Sequence, residues 1–331
     1  MMAGRNPFVR LRRTVPLWLA LGVAVMIGFG VAGDLPRVVE AMQRFDARLA
    51  PAILGLTLLN YLLRFVKWGY YLRLIGAPSI PPFENGAIFF SGLAMTITPA
   101  KLGEWLKSYL LLRRHGVPFG VSAPVILAER LTDGLAMLLL ALGGLYVYGL
   151  GLELAMIVAI GSATLVIGVR ARGPVEYLLG RLGGLPFVGR VAHHAHDFYR
   201  TSRRLLEVRP LFIAVGLGVV SWAGECVAFS FVLVGLGIAP TADLLLTATF
   251  ILAVATLVGS LSMVPGGLAV ADGSIAGLLM ILTVTDDAAL AVAATLLIRL
   301  ATLWFGVLVG LIAISVLVRS GRGSELSAAG G

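Results

Sequence analysis

Residues 86–114 read GAIFFSGLAMTITPAKLGEWLKSYLLLRR, an apolar segment that a proline interrupts at position 99. The run before Pro99 is too short to cross a bilayer comfortably, because a transmembrane helix needs about 20 apolar residues. The run after it is also short and ends at Arg113 and Arg114. Two half-helices that return to their side of entry fit these lengths and charges. Residues 84–112 therefore predict a re-entrant helical hairpin.

The composition of the whole chain is that of a membrane protein. Its 331 residues are 59% hydrophobic and 13% charged, against about 25% charged residues in an ordinary soluble domain. The 41 glycines favour a packed bundle, because small residues let helices approach closely in a membrane. We predict an all-α polytopic membrane bundle with about six full spans. The spans are predicted at 15–32, 50 onward, 122–146, 152–169, 210–236 and 288–318.

A second interrupted segment, residues 244–282, is broken at Val-Pro-Gly-Gly of residues 264–267 and predicts a second re-entrant hairpin. Each half of the chain then contains a span, a hairpin and a span, at about 50–147 and about 210–318, within one integral membrane domain of residues 1–331. The predicted hairpins enter from opposite sides, so the repeats would be inverted. Inverted repeats with broken helices are typical of transporters. The alternative is chance similarity among apolar segments rich in Gly and Pro.

Charges at the ends of the apolar runs predict the orientation. The loop at 170–209 contains eight arginines and three acidic residues, so this loop and both termini are expected on the cytoplasmic side. We expect the plasma (inner) membrane of a bacterium and a first span that is retained, since no signal-peptidase site follows it. The net charge of +9 lies at membrane edges, so we do not expect a nucleic-acid partner.

The stretch RFVKWGYYLRLIGAP at residues 64–78 follows the second span. Its cations Arg64, Lys67 and Arg73 alternate with aromatic residues. Such a mixture is typical of a membrane–water interface. We therefore predict that these cations lie at the membrane edge.

Ionisable residues also fall inside the apolar stretches, where each costs roughly 2.5–3.5 kcal/mol at a helix centre on insertion scales. They must face protein or a wet cavity and compensate one another. The spacing of Glu129, Arg130 and Asp133 allows all three to meet on one side of a helix. The alternative is an ion-pair network that only fixes helix packing, or a side chain that snorkels, as Lys107 can. The residues are Lys101, Glu104, Lys107, Glu129, Arg130, Asp133, Glu225, Asp272 and Arg299.

The breaks in the two hairpins are also predicted helix starts. Thr98 can cap a helix and Pro99 suits its first position. Pro265, Gly266 and Gly267 open the matching half-helix and let the backbone approach a ligand. Two helix N-termini offer unpaired N–H groups to an anion. With the nearby cations they predict an anion site, which a phospholipid headgroup or an inorganic anion would fit.

No pattern indicates soluble catalytic chemistry. His193, His194 and His196 lie beside Asp197, but no second set of metal ligands accompanies them. The surrounding VAHHAHDFYRTSRRLLEV is more typical of an amphipathic helix lying on anionic lipid. No GxSxG, Walker loop, HExxH or CxxC occurs in a usable context. We expect no enzymatic activity, no cofactor and no metal ion.

Five stretches together, RFVKWGYYLRLIG, TPAKLGEWLKSYLL, ERLTDGLAMLLLAL, PGGLAVADG and LLIRLATLWFGVLVG, resemble the lysylphosphatidylglycerol synthase transmembrane-region family over about residues 49–315. That family includes the flippase half of the multiple-peptide-resistance factor, which moves aminoacylated phosphatidylglycerol between leaflets. The resemblance implies motif residues at Pro99, Gly103, Glu104, Lys107, Glu129, Arg130, Asp133, Gly224, Glu225, Pro265, Gly266, Gly267 and Leu268.

The chain departs from that family in two ways. Ala269 and Asp272 stand where the family commonly has Gly and then Glu, which leaves the reach of the acid open. No stretch matches the soluble aminoacyl-tRNA-dependent half, so we expect that this chain alone does not make lysyl-phosphatidylglycerol.

The charge pattern and the resemblance predict a flippase-like lipid translocase that moves a polar, phosphate-containing headgroup through a central hydrophilic cavity. Arg130, Arg299 and Lys101 would hold phosphate. The acidic residues would bind a cationic headgroup or carry protons; these are Glu104, Asp133, Glu225 and Asp272. The expected partners are a phospholipid or other lipid substrate and the membrane, and a homo-oligomer is compatible with the sequence. The alternative is a membrane-embedded transferase, or an accessory subunit of one, acting on a lipid carrier.

Overall fold

The structure is a computed structural model that describes residues 7–98, 104–149, 152–170 and 189–328. Within these ranges the chain forms thirteen α-helices and no strand, which confirms the predicted all-α class. The predicted site residue Lys101 and the motif residues Pro99 and Gly103 lie outside the described residues, as does 171–188 of the basic loop.

The helices, numbered in chain order, are α1 (Pro7–Ala32), α2 (Leu35–Gln43), α3 (Ala50–Leu74), α4 (Pro82–Ala94), α5 (Leu106–His115), α6 (Phe119–Tyr148), α7 (Leu152–Arg170), α8 (Gly189–Leu205), α9 (Val208–Gly235), α10 (Ala242–Leu261), α11 (Val270–Ile281), α12 (Ala288–Arg299) and α13 (Phe305–Ala328). A short 3-10 turn, Pro265–Gly267, lies between α10 and α11. A π-helical turn, Leu300–Trp304, joins α12 to α13.

Four helical stretches in the described part of the chain are long and apolar enough to cross a membrane. They are Ala47–Leu74, Val208–Gly235, Ala242–Leu261 and Ala288–Arg319. A fifth candidate is the pair Pro16–Ala32 and Leu35–Gln43, which is bent by 98°. At about 1.5 Å per residue even the shortest of the four reaches about 30 Å, the thickness of the hydrocarbon core. The chain is thus a multi-pass helical membrane protein, and the number of six spans stays a prediction.

The chain divides into two compact units. Unit one comprises Met1–Thr57, Leu93–Gly103 and Glu225–Gly310, and unit two comprises Leu58–Gly92, Glu104–Gly224 and Leu311–Gly331. In unit one, α12 packs against α2 and α11, and α10 packs against α11. In unit two, α6 packs against α5, α7 and α8.

Helices α4 and α5 form an antiparallel pair in unit two. At one end, Arg114 Nη1 donates to Glu84 Oε1 at 3.0 Å. At the other end, Lys107 packs against Gly92, where an added Cβ would lie 3.0 Å from Lys107 Cδ. The helical interruption between α4 and α5 agrees with the predicted break. That this pair enters the membrane and returns to the same side stays a prediction.

The second interrupted segment lies in unit one and is less symmetric than predicted. The break falls at Pro265–Gly267, where Gly266 and Gly267 have φ of 60° and 65°, a conformation that glycine adopts readily. The sequence predicted two half-helices, but α10 has 20 residues and α11 has 12. Helix α10 is long because Thr241 caps its start, accepting from the Leu244 N–H at 3.0 Å, and an uninterrupted apolar run follows.

Candidate functional site

Unit two contains a buried ion pair between α5 and α6. Lys107 Nζ lies 2.5 Å from Glu129 Oε2, and the two side chains are 4% and 3% exposed. The ammonium also lies 4.6 Å from the ring centroid of Trp68 and 5.3 Å from that of Phe89. Aromatic faces attract a cation within about 6 Å, most strongly where water is excluded. Lys107 is therefore enclosed by a carboxylate and two rings, and it does not snorkel.

A second buried carboxylate, Asp133, is shared by two cations of α3. Lys67 Nζ lies 2.5 Å from its Oδ1, and Arg64 Nη2 lies 3.7 Å from its Oδ2. The Lys67 side chain is only 1% exposed. The guanidinium of Arg64 also lies over the Trp222 ring at 5.5 Å. The Asp133 carboxylate thus takes the place of water around each of these two cations, and the Trp222 ring stabilises Arg64 further.

A third ion pair joins Arg130 of α6 to Glu104, which lies just before α5. Glu104 is 2% exposed, whereas the Arg130 side chain is 28% exposed. The buried Nε of Arg130 has no hydrogen-bond acceptor among the described residues. Arg130 is therefore the most accessible of the cations in this network, and it retains a free donor.

These charged residues lie on α3, α5 and α6 or, for Glu104, just before α5, and we call them together the unit-two charge network. The cations are Arg64, Lys67, Lys107 and Arg130, and the acids are Glu104, Glu129 and Asp133. Four of these described residues are cationic and three are acidic.

The pairing within this network differs from the sequence prediction. Glu129, Arg130 and Asp133 do not pair with one another; each is bonded to a side chain outside α6. Neighbours three or four residues apart on a helix keep their Cβ atoms about 5–6 Å apart. Cations reaching across from α3 and α5 approach the acids of α6 to 2.5 Å.

Lys67 is buried within the protein, and its predicted position at the membrane edge stays a prediction. Lys67 and Arg64 are the functional candidates that the sequence interpretation missed. Helix α3 continues to Leu74 without an elbow, so both residues lie inside the helix. A signal was present, since Asn60, Arg64, Lys67 and Tyr71 recur at helical spacing and share one face. That polar face contacts α6 and α9: Tyr71 Oη lies 3.4 Å from a threonine hydroxyl of α6, and Asn60 Nδ2 donates to a carbonyl of α9 at 3.0 Å.

Unit one contains the other predicted arginine. Arg299 of α12 forms an ion pair with Asp272 of α11, and the side chains are 16% and 7% exposed. Arg299 Nη2 also donates to Gly266 O at 3.1 Å and to Gly267 O at 3.3 Å. Asp272 Oδ2 in turn accepts from the Ala269 N–H at 2.8 Å. Asp272 thus reaches the arginine and also takes up an N–H at the start of α11, which the sequence assigned to an external anion.

The two arginines have equivalent partners in their own units. Glu104 and Asp272 each lie at the start of the helix after a break, and the paired arginine lies on the next long helix. The separations along the chain are 26 residues for Glu104 and Arg130 and 27 for Asp272 and Arg299. The sequence matched Arg130 with Arg299, and the structure adds the same type of partner to each.

The remaining predicted residues are placed as follows. Glu225 is buried on α9 at 5% exposure. The basic helix α8 packs along α6 and buries Tyr199 and Leu205. His196 is exposed, and the side chains of His193 and His194 lie outside the described residues. Over the described ranges, no three metal-ligating side chains come together.

Comparison with known proteins agrees with this architecture. Glycosyltransferase AglD of Haloferax volcanii is 24% identical over 298 residues, which cover 79% of this chain and 48% of that protein. The chain therefore spans about half the length of this relative. The UPF0104 membrane protein of Methanothermobacter thermautotrophicus is 26% identical over 341 residues, which cover 91% of this chain and 93% of that protein. The family described as lysylphosphatidylglycerol synthase TM region matches residues 17–310. Because that match covers most of its length, the chain belongs to the lysylphosphatidylglycerol synthase transmembrane-region family.

Proposed function

We propose that the chain is a lipid translocase of the flippase type, which moves a phosphate-containing headgroup between leaflets through a hydrophilic path. The observation that carries the proposal is the unit-two charge network, in which the partly exposed Arg130 is paired with the buried Glu104. Charges at membrane depth are costly and mark substrate or ion pathways. Family membership supports the same interpretation.

We assign phosphate binding to the guanidinium of Arg130. A guanidinium presents five donors in a planar fork that matches phosphate geometry and stays charged in an apolar setting. Glu104 occupies part of this fork, and the buried Nε has no acceptor among the residues described. An arriving phosphate would compete with Glu104 for the guanidinium. This exchange would keep Arg130 neutralised both before and during binding.

The acids of the network suit the rest of the headgroup. When phosphate binds Arg130, the Glu104 carboxylate is released from its ion pair with Arg130. It can then bind a cationic group of the headgroup or take up a proton. Glu104 is 2% exposed, so the cationic group or proton would meet a carboxylate that is held away from bulk water. A zwitterionic or aminoacylated lipid therefore satisfies both members of the pair.

The proposal is tested with purified protein in liposomes that contain a fluorescent phospholipid, whose outer-leaflet fraction is read by chemical quenching. We expect Arg130→Gln to abolish translocation and Arg130→Lys, which keeps the charge but loses the fork, to retain part of it. Arg204→Gln on exposed α8 is the matched control and should behave like the wild-type chain. Unfolding midpoints in detergent show whether each variant is folded.

A charge exchange distinguishes binding from packing. The variant with Glu104→Arg and Arg130→Glu restores an ion pair between the same two positions but moves the cation away from α6. If the pair only fixes the helices, the exchange variant folds and transports normally. If Arg130 binds phosphate, it folds but transports poorly. Normal translocation by the folded exchange variant would contradict the assigned role.

A second candidate function is a membrane-embedded transferase, or an accessory subunit of one, that acts on a lipid carrier. The observation in its favour is the similarity to a protein named a glycosyltransferase, although that similarity covers 48% of the relative. Purified protein would be incubated with radiolabelled nucleotide sugars and a membrane lipid extract. Labelled lipid that depends on the protein would support a transferase, and its absence alongside measured translocation would favour the flippase.

A further inference from the structure

The chain segments at the two helical breaks meet within unit one. After α4 ends, residues 95–98 form a turn. The Gly266 N–H of the second break donates to Thr96 O of this turn at 3.1 Å. We call this contact the junction, with residues 95–98 on one side and residues 263–269 on the other. The bond pairs two backbone groups that a continuous helix would have paired internally.

The segment on the second side of the junction is strained. Four of the residues in 263–269 have φ between 55° and 65°; they are Met263, Gly266, Gly267 and Ala269. Glycine adopts such angles readily, but a residue with a side chain does not. Ala269, with a ψ of −43°, lies outside even the left-handed helical region. Strain of this kind persists only where surrounding contacts impose it, and it occurs at switch regions.

Side chains of two neighbouring helices hold this segment in place. Arg299 Nη2 donates to the carbonyls of Gly266 and Gly267 at 3.1 and 3.3 Å. Asp272, the ion-pair partner of Arg299, accepts from the Ala269 N–H at 2.8 Å. Because these contacts are made by side chains, they can break while α11 and α12 stay helical. The segment can therefore relax without unfolding the helices around it.

The junction lies between buried and accessible residues. Met95, Ile97 and Leu268, which adjoin the contact, are at most 4% exposed. Met263, in contrast, is 71% exposed, and Ala269 is exposed as well. Separation of the two segments would expose the buried residues that adjoin them. The junction therefore has the arrangement of a closed gate.

We infer that the junction is a gate, closed in this structure, which opens when residues 263–269 relax and Gly266 separates from Thr96. The strain favours opening, whereas the contacts of Arg299 and Asp272 favour closure. Two opposed effects of this kind let a closed and an open conformation lie close in free energy, as a two-state element requires. The inference rests on the proposed function only in giving the gate a role, the passage of a headgroup. Opening itself is measurable without transport.

Opening is measured in detergent by the labelling of a buried thiol. In a Cys226→Ser chain, Ile97→Cys places a thiol beside the junction at a position that is 0% exposed. A water-soluble maleimide reaches this thiol only in the open state, so the rate of labelling follows the open population. Ala293→Cys is the matched reporter for general unfolding of unit one, because position 293 is equally buried but lies in the core of α12 and α2.

Two substitutions should shift the gate in opposite directions. Ala269→Gly relieves the strain of the closed state and should slow labelling at position 97 about fivefold, the equivalent of about 1 kcal/mol. Arg299→Gln removes the contacts that close the gate and should accelerate labelling at position 97 at least tenfold more than at position 293. Ala163→Gly on an exposed face of α7 controls for the added glycine and should leave labelling at position 97 unchanged.

A chemical bridge then tests the role of the gate in transport. Thr96→Cys and Gly266→Cys lie close enough for a short bifunctional thiol reagent to join them through reducible bonds. We expect this bridge to block translocation in liposomes and its reduction to restore translocation. The control bridge joins Gly33→Cys to Val292→Cys, where a Cβ at position 33 would lie 3.0 Å from the Val292 Cβ. It should leave translocation unchanged.

The results separate the gate from the proposed function. Equal labelling at position 97 in the wild-type background, Ala269→Gly and Arg299→Gln would overturn the gate. Normal translocation by protein bridged between positions 96 and 266 would overturn it as well. Labelling that changes as expected in a chain without any translocation would support the gate and contradict the proposed function instead.

Discussion

Replacing the two members of the Lys107–Glu129 pair separately and together tests whether this pair stabilises the fold or binds the substrate. Both side chains are at most 4% exposed and their charged atoms are 2.5 Å apart. Removing one member of such a pair leaves a buried charge without a partner and costs about 3–5 kcal/mol. Replacing both with apolar or neutral groups of similar volume is often neutral or stabilising.

The two single replacements should not cost the same. Glu129→Gln leaves the ammonium of Lys107 over the rings of Trp68 and Phe89. A desolvated cation gains up to about 2 kcal/mol from an aromatic face, so this variant should lie near 3 kcal/mol. Lys107→Met leaves the Glu129 carboxylate without its ion-pair partner and also removes the contact with the rings. That variant should lie near 5 kcal/mol.

The free energy of unfolding would be measured in detergent for both single variants and for the double variant, with translocation measured in liposomes. We expect the double variant to recover most of the stability and to transport at a rate close to that of the wild-type chain. Arg44→Gln, which breaks an exposed ion pair with Glu40, is the control and should cost less than about 1 kcal/mol. Two results would refute the reasoning. One is a double variant as unstable as Lys107→Met, and the other is a stable double variant that has lost translocation.

Three further predictions follow from particular contacts. Asp133→Asn leaves two cations of α3 without their shared carboxylate and should lower the free energy of unfolding in detergent by about 3–5 kcal/mol; an unchanged value would contradict the network. Ala269 has φ 62° and ψ −43°, a strained conformation for a non-glycine residue, so Ala269→Gly should raise the unfolding free energy by about 1 kcal/mol, and a loss of stability would argue against the strain. Cysteines placed at Arg113 and Arg204 in a Cys226→Ser chain should both be labelled only from the cytoplasmic side; labelling of position 113 from outside would remove the re-entrant hairpin and the inverted repeat.

The helical breaks could be predicted because they depend on local chemistry. Proline cannot donate a backbone hydrogen bond within a helix, and glycine adopts left-handed conformations at little cost. Pro265, Gly266 and Gly267 therefore mark the second break in any context, and the structure confirms it there. The length of α10 was harder to predict, because a continuous apolar run contains no residue that marks where a helix begins.

The partners of the buried charges could not be predicted from spacing. A sequence states which residues share a face of one helix, but the partner of a buried charge is selected by which helix packs opposite. Lys67 illustrates this point: beside aromatic residues it has the composition of an interface residue, yet it bonds to Asp133 of another helix. The polar stripe on α3 was visible in the sequence. Only the packing of α3 against α6 determines which charged residues these side chains contact.

The two arginines that the sequence treated as equivalent differ in their surroundings. Arg299 has three acceptors around it, Asp272 and the carbonyls of Gly266 and Gly267, and it is less exposed than Arg130. Arg299 therefore ties the turn at Gly266 and Gly267 to α11, and Arg299→Gln should first lower the stability of unit one. Arg130 has one acid partner in the described structure and a free buried donor, so Arg130→Gln should first lower translocation. We expect the ratio of lost transport to lost stability to be far larger for Arg130, and an equal ratio for the two variants would mean that both arginines serve the same role.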